Sequence, residues 1–351
     1  MTVAAPAGGT SLRGRLIIAL SAVASRLPEA PLVAAAEAAG ELYYRLAPRS
    51  AAQMRANLGR VCAGLAASGR GSQLARRAAT DPDALERLVR RSFRHLARYY
   101  LEVTRVAALD FDDALNRIDL EDGDTLRAAL VPGQPLVVVG MHFGAIELPV
   151  VLMSHLVGHS VMAPMELVAD PGLRDWFVAS RRRVGVNVVP IVDARRTLLR
   201  ALRSGESVGM VADRDLMHNG RPTSFFGHPA PIPAGPALLA IEAGVPVYVG
   251  SVRRTKGRRY LARLVLVPTP ETGTRRERVT ALMDAIVAEF EQILAGAPEQ
   301  WWGGFHPIWP DLAIAPDDEA AADAGRAETA AVAEPAPEPD PEPAPEPGVP
   351  A

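Results

Sequence analysis

Pro135-Leu-Val-Val-Val-Gly-Met-His-Phe-Gly-Ala-Ile-Glu147 joins a run of β-branched residues to a segment with helical character, and the junction holds His142 and Gly144. Short apolar runs bounded by Gly and Pro read as buried strands. Working outward, similar runs recur at Ser207–Ala212, Pro246–Val252 and Tyr260–Val267, with weaker ones at His159–Met162 and Asn187–Ile191. Between them lie segments with helical spacing: Gly144–Leu156, Pro171–Val184, Ala194–Ser204 and Ala234–Ala243. These lengths suit crossover helices on a largely parallel sheet. The predicted fold is therefore α/β, with a mostly parallel central sheet flanked by helices, over residues 111–314.

Residues 1–110 carry apolar positions at three- and four-residue spacing, in Gly14–Ser25, Pro31–Leu46 and Leu85–Val106, and another helix starts within Ser50–Leu58. This helical N-terminal region is predicted to associate with a membrane. Its most apolar run, Leu16–Ser25, follows Arg13 and Arg15 and ends before Arg26 and Pro28, too short to span a bilayer. It reads as a helix lying on or dipping into the surface, with an ordinary core helix as the alternative. A further helix covers Arg275–Leu294 and leads into Pro298-Glu-Gln-Trp-Trp-Gly-Gly-Phe-His-Pro-Ile-Trp309. Residues 315–351 are Ala/Glu/Pro-rich and are predicted to be a disordered, extended tail.

The formal net charge of -2 is unevenly shared. Residues 317–351 hold ten acids against Arg326, so the rest of the chain is basic, almost wholly through arginine. A basic body suits anionic lipid or phosphate, although an arginine-rich composition is the plain alternative. The single cysteine, Cys62, excludes an internal disulfide framework and a multi-cysteine metal centre. His95, His155, His159, His218, His228 and His306 show no zinc-ligand spacing, so no metal site is expected. The chain lacks G-x-S-x-G, Walker and G-x-G-x-x-G motifs, which argues against an α/β-hydrolase, a P-loop enzyme and a dinucleotide enzyme.

His142 follows the first strong strand, where α/β proteins gather reactive groups. Glu147 lies five positions on, about 140° around a continuous helix, so the two cannot meet side by side on one. With His142 in a turn relaxed by Gly144 and Glu147 in the helix, the carboxylate could accept the imidazole Nδ1–H and leave Nε2 as a general base. A strand-end structural histidine is the alternative.

Gly140-Met-His-Phe-Gly-Ala-Ile-Glu147 resembles the first block of the bacterial lipid A biosynthesis acyltransferase family, whose catalytic motif is a histidine and an acid separated by four residues. Glu166 with Phe177-Val-Ala-Ser-Arg181 resembles the second block, Asp213-Arg-Asp-Leu216 the third, and Phe225-Phe-Gly227 through Pro233–Ala240 the fourth. The similarity runs from about residue 10 to 312. It leans towards the actinobacterial phosphatidylinositol mannoside acyltransferase branch, which also ends on a segment like Phe305-His-Pro-Ile-Trp-Pro-Asp-Leu312. Phe143, Ala145, Ile146 and the glutamate at 147 depart from that branch's polar first block and usual aspartate, which leaves the acceptor open.

The resemblance implies catalysis by His142 and Glu147, with Glu166, Arg181, Asp213, Arg214, Asp215, Phe225 and Phe226 near substrate. Asp213 or Arg214 would position His142 or a charged headgroup. Phe225 and Phe226 would wall an acyl groove, or else belong to the core. Arg181 would bind charge or lie on a solvated arginine face, and Asp213–Asp215 would serve the site or form a salt-bridged surface loop. The implied co-substrate is acyl-CoA or acyl-carrier protein, with no other cofactor, and the acceptor is a membrane glycolipid or lysophospholipid met at the cytoplasmic membrane surface. A nucleic-acid partner is not expected. Two other readings use the same fold, a non-catalytic lipid-binding scaffold and an esterase acting through water.

Overall fold

The computed structural model describes residues 9–105, 116–123, 131, 133–166, 168–192 and 194–314. The tail predicted over residues 315–351 lies outside them. Met1–Ala313 forms one unit and Ile314–Ala351 another.

Five helices come first among the described residues: α1 (Leu12–Ala24), α2 (Glu29–Leu46), α3 (Pro48–Ala67), α4 (Gln73–Arg77) and α5 (Pro82–Arg105). They contain Ala, Leu and Arg runs that favour helix, and Pro48 sits at the start of α3, where its missing N–H costs nothing. Gly40 lets α2 close on α5, since a Cβ there would lie 2.5 Å from the Phe93 carbonyl oxygen. Met54, Leu58, Cys62, Leu88 and Phe93 build the core between α3 and α5.

β1 (Ile118–Leu120) and β2 (Val137–Gly140) follow, then α6 (Glu147–Val157), β3 (Val161–Met165), α7 (Pro171–Arg183), β4 (Val186–Pro190), α8 (Ala194–Arg203) and β5 (Ser207–Val211). The hairpin β6 (Arg221–Phe225) and β7 (His228–Ile232) precedes α9 (Gly235–Ala243), β8 (Val247–Arg254), β9 (Tyr260–Val267) and α10 (Arg275–Gly296). Short 3-10 turns end the described chain at Pro298–Gln300, Trp302–Phe305 and Pro310–Leu312.

The seven-stranded sheet has the order β1-β9-β8-β2-β5-β3-β4. β8, β2, β5, β3 and β4 run parallel, and only the β8–β9 pair is antiparallel. The mixed α/β fold with a mostly parallel sheet is thus the one expected from the strand and helix runs. Its central strand is β2, whose Val137, Val138 and Val139 are at most 2% exposed. Helices cover both faces: α9 and α10 pack over one core and α6 over the other. The short helix α4, the strand β1 and the hairpin β6–β7 have no counterpart among the runs expected from the sequence. β1 is a three-residue edge strand, and β6–β7 carries Pro222, Pro229 and Pro231, which are confined to edges because they cannot donate to a ladder.

α3 ties down the segment after α10. Asn57 Nδ2 donates to the carbonyls of Gly304 (2.8 Å) and His306 (2.7 Å), and Arg60 pairs with Asp311. α5 packs on Pro298–Gln300. The N-terminal helices therefore press residues 298–312 against the carboxyl edge of the sheet.

Candidate active site

At that edge the chain leaves β2 through Met141 and His142. Gly144 takes φ +54°, and a Cβ there would stand 2.1 Å from the Val252 carbonyl oxygen, so only glycine fits the turn. The backbone is then pinned twice, by Gly144 N–H to the Gln300 carbonyl (2.9 Å) and Ala145 N–H to the Val252 carbonyl (2.9 Å). The helix begins only at Glu147, three residues later than its sequence pattern suggests, because the turn consumes those residues.

The neighbouring strand, β5, leads into Ala212 and Asp213. Asp213 is 1% exposed, and its Oδ1 lies 2.7 Å from His142 Nδ1 and accepts the His142 backbone N–H at 3.0 Å. Oδ2 accepts the Trp301 indole N–H at 2.8 Å. Burial pushes this carboxyl up, but the His142 charge and the hydrogen bonds from His142 and Trp301 outweigh it and hold the group below its ordinary value. An ionised carboxylate only accepts, so in the neutral imidazole Nδ1 carries the proton and Nε2 keeps its lone pair. Gly303 permits the arrangement, since a Cβ there would lie 2.3 Å from Asp213 Oδ2 and 3.1 Å from His142 Cβ.

The expected contact between Glu147 and the imidazole is not formed. Glu147 instead makes a two-pronged ion pair with Arg181 of α7, Nη2 to Oε1 at 2.6 Å and Nε to Oε2 at 3.1 Å. The reason is geometric: as the first residue of α6 Glu147 reaches towards α7, while β5 brings Asp213 directly beside the β2 exit. Burial works against the Arg181 charge, but the nearby Glu147 carboxylate dominates and raises its value.

His142, Glu147, Arg181, Glu166 and Arg214 all line one cavity of about 250 Å³. Its floor is the sheet face under α6, where Gly140, Gly209, Gly250 and Ala163 leave a trough across β2, β5, β8 and β3. Val138, Val186, Val188 and Pro149 make the rest largely apolar. Asp213 stands behind His142 and does not line it. Asp215 turns away to accept the backbone N–H groups of Asn219 (3.1 Å) and Gly220 (2.8 Å), stapling its own loop. Phe225 and Phe226 are core residues and line none of the cavity. Phe225 is 0% exposed and stacks on Trp309, with ring centroids 5.2 Å apart. Phe226 occupies the hairpin turn at φ +49°.

Residues the motif reading passed over complete the wall. Trp302 meets the His142 ring edge-on with centroids 4.7 Å apart, and Tyr99 of α5 stacks on Trp302 at 4.0 Å. The imidazole is thus held by a carboxylate on one side and an aromatic stack on another. His306 lies near Arg214 and His142, and burial followed by those two charges brings its imidazole down to about 4, so it stays neutral. The Trp-Trp-Gly-Gly run was the one visible signal for this wall, through its unusual aromatic and glycine density.

Residues 14–309 match the family model for bacterial lipid A biosynthesis acyltransferase. The chain belongs to that family. It is 29% identical over 250 residues to the phosphatidylinositol mannoside acyltransferase of Mycolicibacterium smegmatis, covering 69% of this chain and 78% of that protein. Proteins of the same name from two strains of Mycobacterium tuberculosis are 27% identical over 219 residues, covering 60% of this chain and 66% of each. This lipid A-type acyltransferase therefore presents a histidine–aspartate pair at an apolar cavity, with the glutamate of its H-x4-E block joined to arginine.

Proposed function

We propose that this acyltransferase moves a fatty acyl group from a thioester, acyl-CoA or acyl-carrier protein, to a hydroxyl of a membrane glycolipid or lysophospholipid, with a phosphatidylinositol-mannoside-type lipid as acceptor. The observation that carries this is the His142–Asp213 pair opening onto the apolar trough. His142 Nε2 takes the proton of the acceptor hydroxyl, and the oxygen attacks the thioester carbonyl. Asp213 stabilises the imidazolium that forms. The carbon–sulfur bond breaks, and the departing thiolate takes the proton back from His142. The acyl chain lies along the trough. α6 opens on the cavity at Ile146 and Glu147, so its positive end favours charge growing on the carbonyl oxygen. Glu147 acts through Arg181, holding that cation in the wall, while Glu166 and Arg214 meet polar parts of donor or acceptor. The relatives' names support the choice of acceptor.

In this proposal the enzyme lies against the cytoplasmic face of the membrane through α1. Leu12, Leu16, Leu20 and Val23 of that helix are 54–84% exposed, beside Arg13 and Arg15. Among the described residues, no helix is long and apolar enough to cross a membrane.

The test is His142→Ala, assayed for thiol release from long-chain acyl-CoA and for acylated lipid by mass spectrometry. Asp213 keeps the Trp301 and backbone hydrogen bonds in this variant, so the fold should survive. Both products should vanish, and near-normal turnover would refute the assignment.

A further inference from the structure

One strand away from His142, the carboxyl edge of the sheet carries a second cavity, of about 460 Å³. Arg91 and Arg94 of α5, Arg253 and Arg254 at the end of β8, and Lys256 in the following turn all line it. The acids on the same wall are Glu37 and Glu299. Several of these charges are already committed: Glu37 to Arg98 (3.3 Å), Arg94 to Glu41 (3.1 Å) and Arg254 to Glu102 (2.5 Å). Burial raises the Glu299 carboxyl above its ordinary value in spite of Arg91 and Arg253 nearby. Among the described residues, no hydrogen bond or ion pair engages the side chains of Arg91, Arg253 or Lys256.

Two enclosed nitrogens of the wall also lack partners, Nη1 of Arg254 and Nδ1 of His95. The Arg254 side chain is 1% exposed, and an unsatisfied buried guanidinium donor favours an acceptor brought in from outside. Burial and then the surrounding arginines keep the His95 imidazole well below its ordinary value. A concave wall with three cations free of hydrogen bonds and an orphaned guanidinium N–H suits a compact anion with several acceptor oxygens.

This cavity is connected to the catalytic turn. The Gln300 side chain accepts the Arg254 N–H and donates to the Arg254 carbonyl, each at 2.9 Å, while the Gln300 carbonyl accepts the Gly144 N–H. Between the two cavities lies a third of about 140 Å³, which shares Phe143 and Ser251 with the acyl trough and Arg253 and Gly296 with the basic wall. On α5, His95 stands one turn before Tyr99, about 6 Å along the axis.

We infer that the basic cavity is a phosphate site, which takes the phosphate or pyrophosphate group of a ligand whose reacting end lies at His142. The ligand's link to His142 rests on the acyl-transfer reading; the binding of phosphate does not. Two sources supply this chemistry, the phosphates of a CoA-type donor and the phosphodiester of a lipid headgroup.

Isothermal titration calorimetry on the full chain tests it, with inorganic pyrophosphate, free CoA and phosphatidylcholine vesicles containing phosphatidylinositol as probes. The variants are Arg253→Ala and the double change Arg91→Ala/Lys256→Ala, whose two side chains are exposed and carry no fold contacts of this kind. Pyrophosphate should bind the wild type, about ten-fold more weakly each variant, and less tightly as salt rises. A parallel loss for CoA assigns the site to the donor, and a parallel loss for vesicles alone assigns it to the headgroup. Pyrophosphate that fails to bind, or binds the variants equally, overturns the site. A loss confined to pyrophosphate overturns its link to His142. His142→Ala should titrate like the wild type, so a failure of the acyl-transfer assignment leaves this measurement standing.

Discussion

Asp213 gives His142 its tautomer from a fully buried position, and its charge is the part that matters. Asp213→Asn keeps the shape but removes the carboxylate that stabilises an imidazolium. The turnover number should fall about 10²- to 10⁴-fold, with KM little changed, as measured by steady-state thiol release. A fall in affinity alone would contradict the role. The same residue sets an acid limit on stability. Its folded value lies below the ordinary 3.8, so its stabilising contribution is complete above that pH and is lost as pH falls through the folded value. The difference in Tm between wild type and Asp213→Asn should be present above 3.8 and shrink as the pH falls below it, as read by thermal melts across the acid range. His142 was legible because a histidine beyond a valine-rich strand is a local pattern. Its partner was not legible from spacing, since Asp213 lies 71 residues away and Glu147 was the nearer acid in the chain; only the family resemblance pointed to Asp213, with Arg214 as the alternative.

At the scale of elements, the unit strand–turn–helix from β2 to α6 makes the site. Gly144 bends the chain so that His142 stays at the sheet edge, and Glu147 opens a helix that leans on α7 through Arg181. The strands contribute what they lack. Gly140, Gly209 and Ala163 withhold side chains from one sheet face, which leaves room for the trough. Ala163→Phe should fill part of it. Each buried methylene is worth about 0.8 kcal/mol, so losing two seats lowers kcat/KM for long-chain donors roughly ten-fold and leaves short-chain donors nearly unaffected. Equal losses for donors of all lengths would show that the chain lies elsewhere. The strand runs and most helix spans were readable from periodicity and β-branching. The hairpin β6–β7 was not, because three prolines disguise it; of the two phenylalanines at its turn, Phe225 stacks on Trp309 and Phe226 packs on Phe225, away from the cavity.

At the scale of the whole molecule, the helical N-terminal part serves two ends. α3 and α5 clamp the Trp301–Phe305 wall over His142, while α1 displays an apolar row outward. If that row meets lipid, Leu16→Glu/Leu20→Glu should weaken co-sedimentation with anionic vesicles by more than ten-fold, and added salt should weaken the remainder. Unchanged sedimentation would sink the membrane assignment for α1 and leave the catalytic one standing. The α/β class, the parallel strand set and the place of His142 at a strand end were legible in the chain alone. Each of these follows from side chains near one another in the chain, where periodicity and turn chemistry act. That Asp213 and not Glu147 contacts the histidine, that Tyr99 and Trp302 flank it, and that arginines from α5 and β8 share a wall emerge only in three dimensions. Those contacts join residues distant in the chain, and the forces behind them, burial, ion pairing and close packing, depend on separation in space and leave no local pattern to read.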